Sequence, residues 1–421
     1  MNRVHDVDLW SKLLGLERPW TVGRIDLNVK GQKVEVFLEH EEGTLWACPE
    51  CGKRFPAYDH KEERVWRHLD TMAFQTWVHA RPPRVECPHH GVRQVEVPWA
   101  EPGSHFTRFF ERFSIDVSQE TDTQGASRIL KLSWDETWGL QERAVARGLL
   151  RRGPLVLRSM GVDEKAVGHG QTYMTLVYDL ADPKVVWIGE DRKKETLDGF
   201  FQGLSLAQRT AIEEVGLDMW DPFISSIQDY VPGATGKMVF DRFHIMKHAN
   251  EGVDKVRRTE NRSLLLEGDP TLKGSKYLWL HRRATLPGKD VPRFQELQAL
   301  HLHTGRAYAL KEALSDLWEY RSDGWARKFW KQWYFWATHS RLTPMIKVAR
   351  MIKDHLSGVM SYFTHRITNA VAEGLNSKIT TIQKMAYGFR NKEHFKTAVL
   401  FRCGGLDLYP GVSSSTHPKA G

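Results

Sequence analysis

Three carboxylates, far apart along the chain, stand where a fold can draw them together for phosphoryl transfer. Asp163, in Met160-Gly161-Val162-Asp163-Glu164, and Asp218, in Val215-Gly216-Leu217-Asp218-Met219, each end an apolar run with strand character. Glu373 lies in Thr368-Asn369-Ala370-Val371-Ala372-Glu373-Gly374-Leu375-Asn376-Ser377-Lys378, a segment with helical spacing among cationic and amide side chains. Carboxylates that converge inside a basic chain are what two-metal phosphoryl transfer on DNA needs, because hard divalent cations take oxygen ligands and polarise phosphate oxygens. Asp241, in Asp241-Arg242-Phe243-His244, is a rival for the middle place. Its tight pairing with His244, and Lys247 and His248 close behind, favour it; strand order favours Asp218. The acid that loses is expected beside the site, with His244 orienting a neighbouring carboxylate or strand. An isolated Asp at a strand end more often caps a turn or helix, and the joint order of these acids is what raises them above that.

The elements that must position the acids are legible in the same stretch. Residues 157–162, 173–179 and 184–188 have strand character, with Ala181-Asp182-Pro183 turning the chain between the second and third. A helical stretch opens at Glu195-Thr196-Leu197, a fourth strand covers 212–217, a helix 222–230 and a fifth strand 237–240. Three antiparallel strands, a helix, and then strands separated by helices is the order of a ribonuclease H-like fold. That order puts Asp163 on the first strand and Asp218 just past the fourth. Residues 250–347 do not suit a sheet: they carry Arg257, Arg258, Arg262, Lys273, Lys276, Arg282 and Arg283, then Trp318, Trp325, Trp330, Trp333 and Trp336. They predict a basic helical insertion ahead of the Glu373 helix. Its cations suit phosphates, and its tryptophans suit an amphipathic core at least as well as a base at a DNA end.

Two cysteine clusters precede this region. Cys48-Pro49-Glu50-Cys51-Gly52 is a knuckle with Gly52 free to make the tight turn, and Cys87-Pro88-His89-His90-Gly91 repeats it with His90 in the last position. Paired spacings of this kind, separated by strand-like sequence, predict a tetrahedral zinc ribbon held by Cys48, Cys51, Cys87 and His90. His89 is the alternative fourth ligand. Four protein ligands leave no open position, so this single Zn²⁺ is expected to be structural. Cys403 reads as an ordinary core thiol.

Pro98-Trp99-Ala100-Glu101-Pro102-Gly103-Ser104 then marks a boundary. Beyond it Phe106 to Phe113 has helical spacing, and two further helices are expected over 119–130 and 134–147. Ser133-Trp134-Asp135-Glu136 is a capping box at the start of the last. Small Ala126, a short turn and a capped second helix match a helix-turn-helix, whose second helix would enter a major groove. Glu136 and Glu142 on that helix would repel phosphates, and a plain helical linker fits the pattern nearly as well.

The bulk properties agree with a polyanionic partner. The 421 residues carry 60 Lys+Arg against 52 Asp+Glu, a net charge of +8, with 16 tryptophans. The few cysteines argue against a disulfide framework, the acids near Met1 against a secretory leader, and the absence of a long apolar run against a membrane span. A soluble, cytoplasmic chain is expected.

Taken together, these residues resemble the DDE transposases of bacterial insertion sequences, in particular the ISL-three family. The resemblance covers nearly the whole chain. It runs through the cysteine clusters, Trp66-Arg67-His68-Leu69-Asp70, Gly161-Val162-Asp163-Glu164 and Asp241-Arg242-Phe243-His244. It continues in Ser340-Arg341-Leu342-Thr343-Pro344, Asn369 through Lys378, and Tyr387-Gly388-Phe389-Arg390-Asn391. His90 departs from it, since the family more often has cysteine there. The resemblance implies an acidic triad of Asp163, Asp218 or Asp241, and Glu373, holding two Mg²⁺ (Mn²⁺ as a substitute) and acting on the terminal inverted repeats and target DNA. It places Asp241-x-x-His244 as a signature after the second acid, which favours Asp218. It also implies a homodimer or higher oligomer on DNA, in a bacterial cytoplasm close to the nucleoid.

The whole is an α/β multi-domain plan. A zinc ribbon occupies 1–100, a helix-turn-helix 104–152, and the first part of the catalytic core 153–249. The helical insertion covers 250–347, the second part of the core with the Glu helix 348–405, and a flexible tail 406–421. Arg257, Arg258, Arg262, Lys378 and Arg390 are the expected DNA contacts. A non-catalytic regulator descended from a transposase, or a structure-selective nuclease on the same core, remain as alternatives.

Overall fold

The computed structural model describes residues 6–168, 172–367 and 370–411. Thr368, Asn369 and the last ten positions of the expected tail lie outside the described residues. The chain divides into two compact units, 1–153 with 397–421, and 154–396.

The first unit opens with a short helix, Asp6–Leu13, and eight strands: β1 (Trp20–Asn28), β2 (Lys33–His40), β3 (Leu45–Ala47), β4 (Arg54–His60), β5 (Arg64–Thr71), β6 (Phe74–Ala80), β7 (Pro83–Cys87) and β8 (Gly91–Gln94). They form two four-stranded sheets, in the orders β1-β2-β6-β5 and β3-β4-β7-β8. Period-two alternation sends Val34, Val36 and Leu38 of β2 into a core shared with Trp20, Trp46, Trp66 and Trp99.

Three helices follow, Arg108–Glu120, Thr123–Leu130 and Trp134–Arg151. Each starts at a side-chain cap. Thr107 accepts from the Phe110 N–H, Asp122 from the Gly125 N–H, and Ser133 and Glu136 form the expected capping box. Residue 119 is therefore not the start of the second helix. The first helix runs through Glu120, and the Asp122 cap begins the next at Thr123.

Buried Arg147 is clamped by buried Glu111 at 2.7 Å and by Glu101 at 2.7 Å, so a charge taken out of water is paired rather than isolated. The same guanidinium donates to the Leu408 carbonyl at 2.6 Å. Residues 406–411 are thus packed, contrary to the expected flexible tail. Leu408 is buried against Ile115, Ala144 and Phe401, and the Tyr409 hydroxyl donates to Asp116 at 2.6 Å. Apolar side chains in this segment have a surface to bury against, which a compositional reading of a short terminus does not reveal.

The second unit is built on one sheet of β9 (Ser159–Ala166), β10 (Tyr173–Asp179), β11 (Lys184–Glu190), β12 (Glu214–Leu217) and β13 (Met238–Phe240), in the order β11-β10-β9-β12-β13. β10 is antiparallel to both its neighbours, and β12 is parallel to both of its own. The central strands are buried on both faces, as their continuous apolar runs require. The helix Leu356–His365 lies close on β13, because a Cβ added at Gly358 would sit 2.3 Å from the Phe240 ring.

From β13 the chain enters a long helix, Arg242–Leu266, capped by Asp241, whose carboxylate accepts from the Phe243 N–H at 2.8 Å. The helix passes unbroken through position 250, and the helix Thr343–Asp354 likewise spans 347. Neither expected insertion boundary is therefore a break in structure. Ile245, Ala249, Val253 and Val256 keep one apolar stripe running from the sheet into the helical region, and no proline interrupts it. In that region Trp279, Trp318, Trp330 and Trp333 are core residues, whereas Trp325 and Trp336 are exposed. The helix Ala370–Met385 carries Glu373. The expected end of the second core segment at 405 also shifts, because residues from Thr397 onward, in the helix Lys392–Cys403, group with the first unit. No described helix is long and apolar enough to cross a membrane.

Candidate metal centre and acidic site

The zinc ligands come from two hairpin ends. Cys48 and Cys51 lie between β3 and β4, Cys87 ends β7, and His90 precedes β8. Gly52 (φ 71°) and Gly91 (φ 67°) take the left-handed turn after each knuckle, which a Cβ would strain. The four ligand atoms all lie within 4.8 Å of one another. Cys51 Sγ is 3.8 Å from Cys87 Sγ, and His90 Nδ1 is 3.8 Å from Cys48 Sγ and 3.4 Å from Cys87 Sγ. A tetrahedron of ~2.3 Å zinc–sulfur bonds has edges of ~3.8 Å, so the cluster fits Zn²⁺. Burial pushes the Cys87 thiol up, but N–H groups of His89 and His90 and the His90 ring outweigh it and hold it down to about 6, closer to the thiolate a metal takes. His90, not His89, joins the cluster. Its Nε2 faces Glu50 at 3.9 Å, and Glu50 is held by Arg93 at 2.5 Å. At 3.9 Å the carboxylate faces the imidazole as a charge rather than a hydrogen-bond partner. Sequence reasoning passed over Glu50, although it lies inside the first knuckle.

The acids are positioned by strand register. β9 pairs with β12 at Val162↔Leu217, and β12 pairs with β13 at Leu217↔Phe240. The next residue along the chain is Asp163 on β9, and Asp218 and Asp241 just past the ends of β12 and β13, so the three acids stand in one row. Neighbouring members are one inter-strand spacing apart, about 4.8 Å between backbones. Asp218 is the middle member, adjacent to Asp163, and Asp241 lies one strand further.

The row differs in how its carboxylates are held. Asp163 accepts from the Glu164 N–H at 2.7 Å and from Asn376 Nδ2 at 2.6 Å. Burial outweighs these donors and raises its carboxyl above the ordinary range. Asp218 accepts from His244 Nδ1 at 2.8 Å. Burial pushes Asp218 up, but the bond to His244 and its charge hold it lower than usual; the same bond raises His244. Asp241 has one oxygen engaged in its helix cap, and its other is 3.9 Å from His244 Nε2. His244 therefore stands between the two candidate middle acids.

The helix that carries Glu373 is tied to β9. Three residues on, Asn376 bridges Asp163 and the Tyr178 hydroxyl, which donates to Asn376 Oδ1 at 2.8 Å. Lys165 of β9 donates to Thr380 Oγ1 at 2.6 Å, tying the helix to the strand. Exposed Glu373 lines a cavity of about 400 Å³ together with Asp241, Arg242 and Phe243. Carboxylate oxygens with an amide beside them are a donor set for a hard divalent cation. Among the described residues, only the cysteine cluster brings its ligand atoms within 4.8 Å. Asn376 and Tyr178 were missed from sequence. Asn376 is three residues past Glu373, the spacing that shares a helix face.

Three family models match in chain order. A zinc-finger of transposases IS204/IS1001/IS1096/IS1165 matches residues 44–90, a helix-turn-helix domain of transposase family ISL3 matches 95–145, and the ISL3 transposase domain matches 160–399. The last covers more than half of the chain. The chain belongs to the ISL3 family of transposases. It is 26% identical over 370 residues to the transposase for insertion sequence element IS1001 of Bordetella parapertussis, covering 87% of this chain and 90% of that protein. It is 24% identical over 446 aligned positions to the transposase for insertion sequence element IS1557 of Mycobacterium tuberculosis, covering 99% of each.

This transposase thus has a zinc ribbon with a Cys3His site and a DNA-binding helix-turn-helix. The exposed start of the helix Trp134–Arg151 presents Trp134, Asp135 and Glu136 rather than cations. Of the arginines expected on DNA, Arg257 is held by Asp254 at 2.7 Å and only 11% exposed, so its charge is spent inside the fold. Arg258 is 64% exposed and shares Asp254 at 3.2 Å. Arg262, Lys378 and Arg390 are exposed.

Proposed function

We propose that this transposase cuts DNA at the ends of its element and joins the freed 3′ ends to target DNA, with Asp163, Asp218 and Glu373 as its acidic triad on a ribonuclease H-like core. The strand order β11-β10-β9-β12-β13, with only β10 antiparallel in it, supports that core. The observation that carries the triad is the register that sets Asp218 beside Asp163, with the Glu373 helix bonded to Asp163 through Asn376. Asp241 is then a positioning residue, since its carboxylate caps the start of the long helix that presents His244 to Asp218. Two Mg²⁺ ions, or Mn²⁺ in their place, would be held by these carboxylates and would supply Lewis acidity at the scissile phosphate. The protein's part is to fix the oxygens. Asn376 holds Asp163, His244 holds Asp218, and Lys165 keeps the Glu373 helix against β9.

On this reading the ribbon and the helix-turn-helix recognise the terminal inverted repeats. Arg258, Arg262, Lys378 and Arg390 hold phosphates, each steepening the salt dependence of binding. Acting on two ends together implies a dimer or larger assembly on DNA. The test is cutting and strand transfer of labelled element ends in Mg²⁺. Glu373→Gln and Asp218→Asn are expected to abolish both, while Asp241→Asn retains a measurable fraction. Activity near wild type in Glu373→Gln refutes the triad, and loss in Asp241→Asn with retention in Asp218→Asn reverses the middle assignment. Cutting without joining would mark a structure-selective nuclease, and neither activity a DNA-binding regulator.

A further inference from the structure

A cleft between the long helix Arg242–Leu266 and the helix Thr343–Asp354 has no part in the chemistry above. It encloses about 950 Å³, the size of a ligand cleft. Its floor is apolar, with buried Gly252, Val256, Leu342 and Val348. Its rim carries exposed Lys255, Arg341 and Lys347, and among the described residues no carboxylate lies within ion-pair distance of any of the three.

The acids nearby do not balance them. Glu260 accepts from the His303 N–H at 2.7 Å, the Thr304 N–H at 2.8 Å and the Thr304 hydroxyl at 2.6 Å, so both of its oxygens are engaged by one helix start. Glu251 pairs weakly with His248 at 3.9 Å. The rim therefore carries three cations, none in an ion pair among the described residues, beside one exposed acid, Glu251, over an apolar floor.

The turn that presents Arg341 is built firmly. Ser340 Oγ donates to the Ala337 carbonyl at 2.7 Å and accepts from the Leu342 N–H at 3.2 Å, and the Arg306 guanidinium donates to the Ser340 carbonyl. Arg341 itself sits at φ 62°, a conformation non-glycine residues rarely adopt. Arg341 to Pro344 of the Ser340–Pro344 motif line this cleft.

We propose that the cleft binds a single, unpaired DNA strand, with phosphates on Lys255, Arg341 and Lys347 and sugars and base edges against the apolar floor. This rests on the transposition reading, in which cutting frees a strand at the element's end. A floor closed at Gly252 suits one strand better than a duplex. A Cβ on Gly252 would lie 3.0 Å from Met345 Sδ and 3.2 Å from Val348 Cγ2, so the two helices meet tightly at the floor. Helices packed in this way have axes only ~8–10 Å apart. Binding through phosphates and an apolar floor would not depend on base sequence.

The test is fluorescence polarisation of a short labelled oligothymidine with the full chain, without Mg²⁺. Lys255→Ala/Arg341→Ala/Lys347→Ala is expected to weaken binding about tenfold or more and to flatten the salt slope by about two, since each single-strand phosphate contact contributes ~0.7. Blunt duplex binding should stay within about twofold. Lys255→Arg/Lys347→Arg should retain strand binding, which separates lost charge from misfolding. Unchanged oligothymidine affinity and slope in the triple variant overturn the proposal. So does an equal loss for duplex, which would mean diffuse surface charge, or a change in sedimentation alone, which would mean a protein partner. Because no catalysis is read, a wild-type chain that cuts nothing would refute transposition chemistry and leave this result standing.

Discussion

Asn376→Ala tests the link between the Glu373 helix and the row of acids. The side chain donates to Asp163 Oδ2 at 2.6 Å and accepts from the Tyr178 hydroxyl at 2.8 Å. A hydrogen bond to a charged group is worth about 1.5–3 kcal/mol. If that loss falls on the transition state, where Asp163 must be fixed, cutting slows about ten- to a hundredfold, at ~1.36 kcal/mol per decade. Tyr178→Phe removes the hydroxyl that donates to the amide and should cost a few-fold, from about 0.5–1.5 kcal/mol for a neutral bond. The pH profile adds an independent check. Burial holds the Asp163 carboxyl above its ordinary range, and Asn376 pulls it down. Removing the amide raises it further, so the acid limb of the rate profile should move to higher pH and the defect should shrink as pH rises. The assay is single-turnover nicking of a labelled element end across pH at saturating Mg²⁺, with thermal unfolding alongside to exclude a folding defect. Asn376→Ala cutting within about twofold of wild type, with an unmoved acid limb, would refute the role given to this clamp.

Three further outcomes follow from the geometry. Cys48→Ser should release the bound zinc, seen by metal analysis, and expose residues 44–94 to protease while 154–396 stays resistant; retained zinc would contradict the four-ligand cluster. His244→Gln should lower stability most in acid. The folded-state raise of His244 by Asp218 contributes fully below its unfolded value of ~6.5 and is lost as pH rises through the folded value. Urea midpoints of wild type and variant should therefore converge at alkaline pH, and a gap independent of pH would exclude the ion pair as the cause. Gly358→Ala should destabilise by about 1–3 kcal/mol in urea unfolding, since the added Cβ meets the Phe240 ring at 2.3 Å; an unchanged midpoint would mean that the helix shifts freely on β13.

What the sequence alone determined is local. The zinc ligands were legible because two knuckles repeat one short spacing, each followed by a glycine that turns left-handed. The cap at Ser133 and the strand over 173–179 follow from contiguous residues, as does the strand expected over 237–240, which begins one residue later at Met238. Tertiary structure decided whatever depends on pairing between distant segments. Register alone sets Asp218 between Asp163 and Asp241, because a one-residue slip would turn a side chain to the opposite face. Asn376, Tyr178 and Lys165 acquire roles only when their helix meets β9, and nothing in their own neighbourhoods announces it. The same holds for charges: Arg257 and Arg258 are alike in sequence, yet Asp254 removes one from the surface and leaves the other mostly exposed. Short-range preference selects turns, caps and strands, while burial and pairing across the chain decide which polar groups remain free to act.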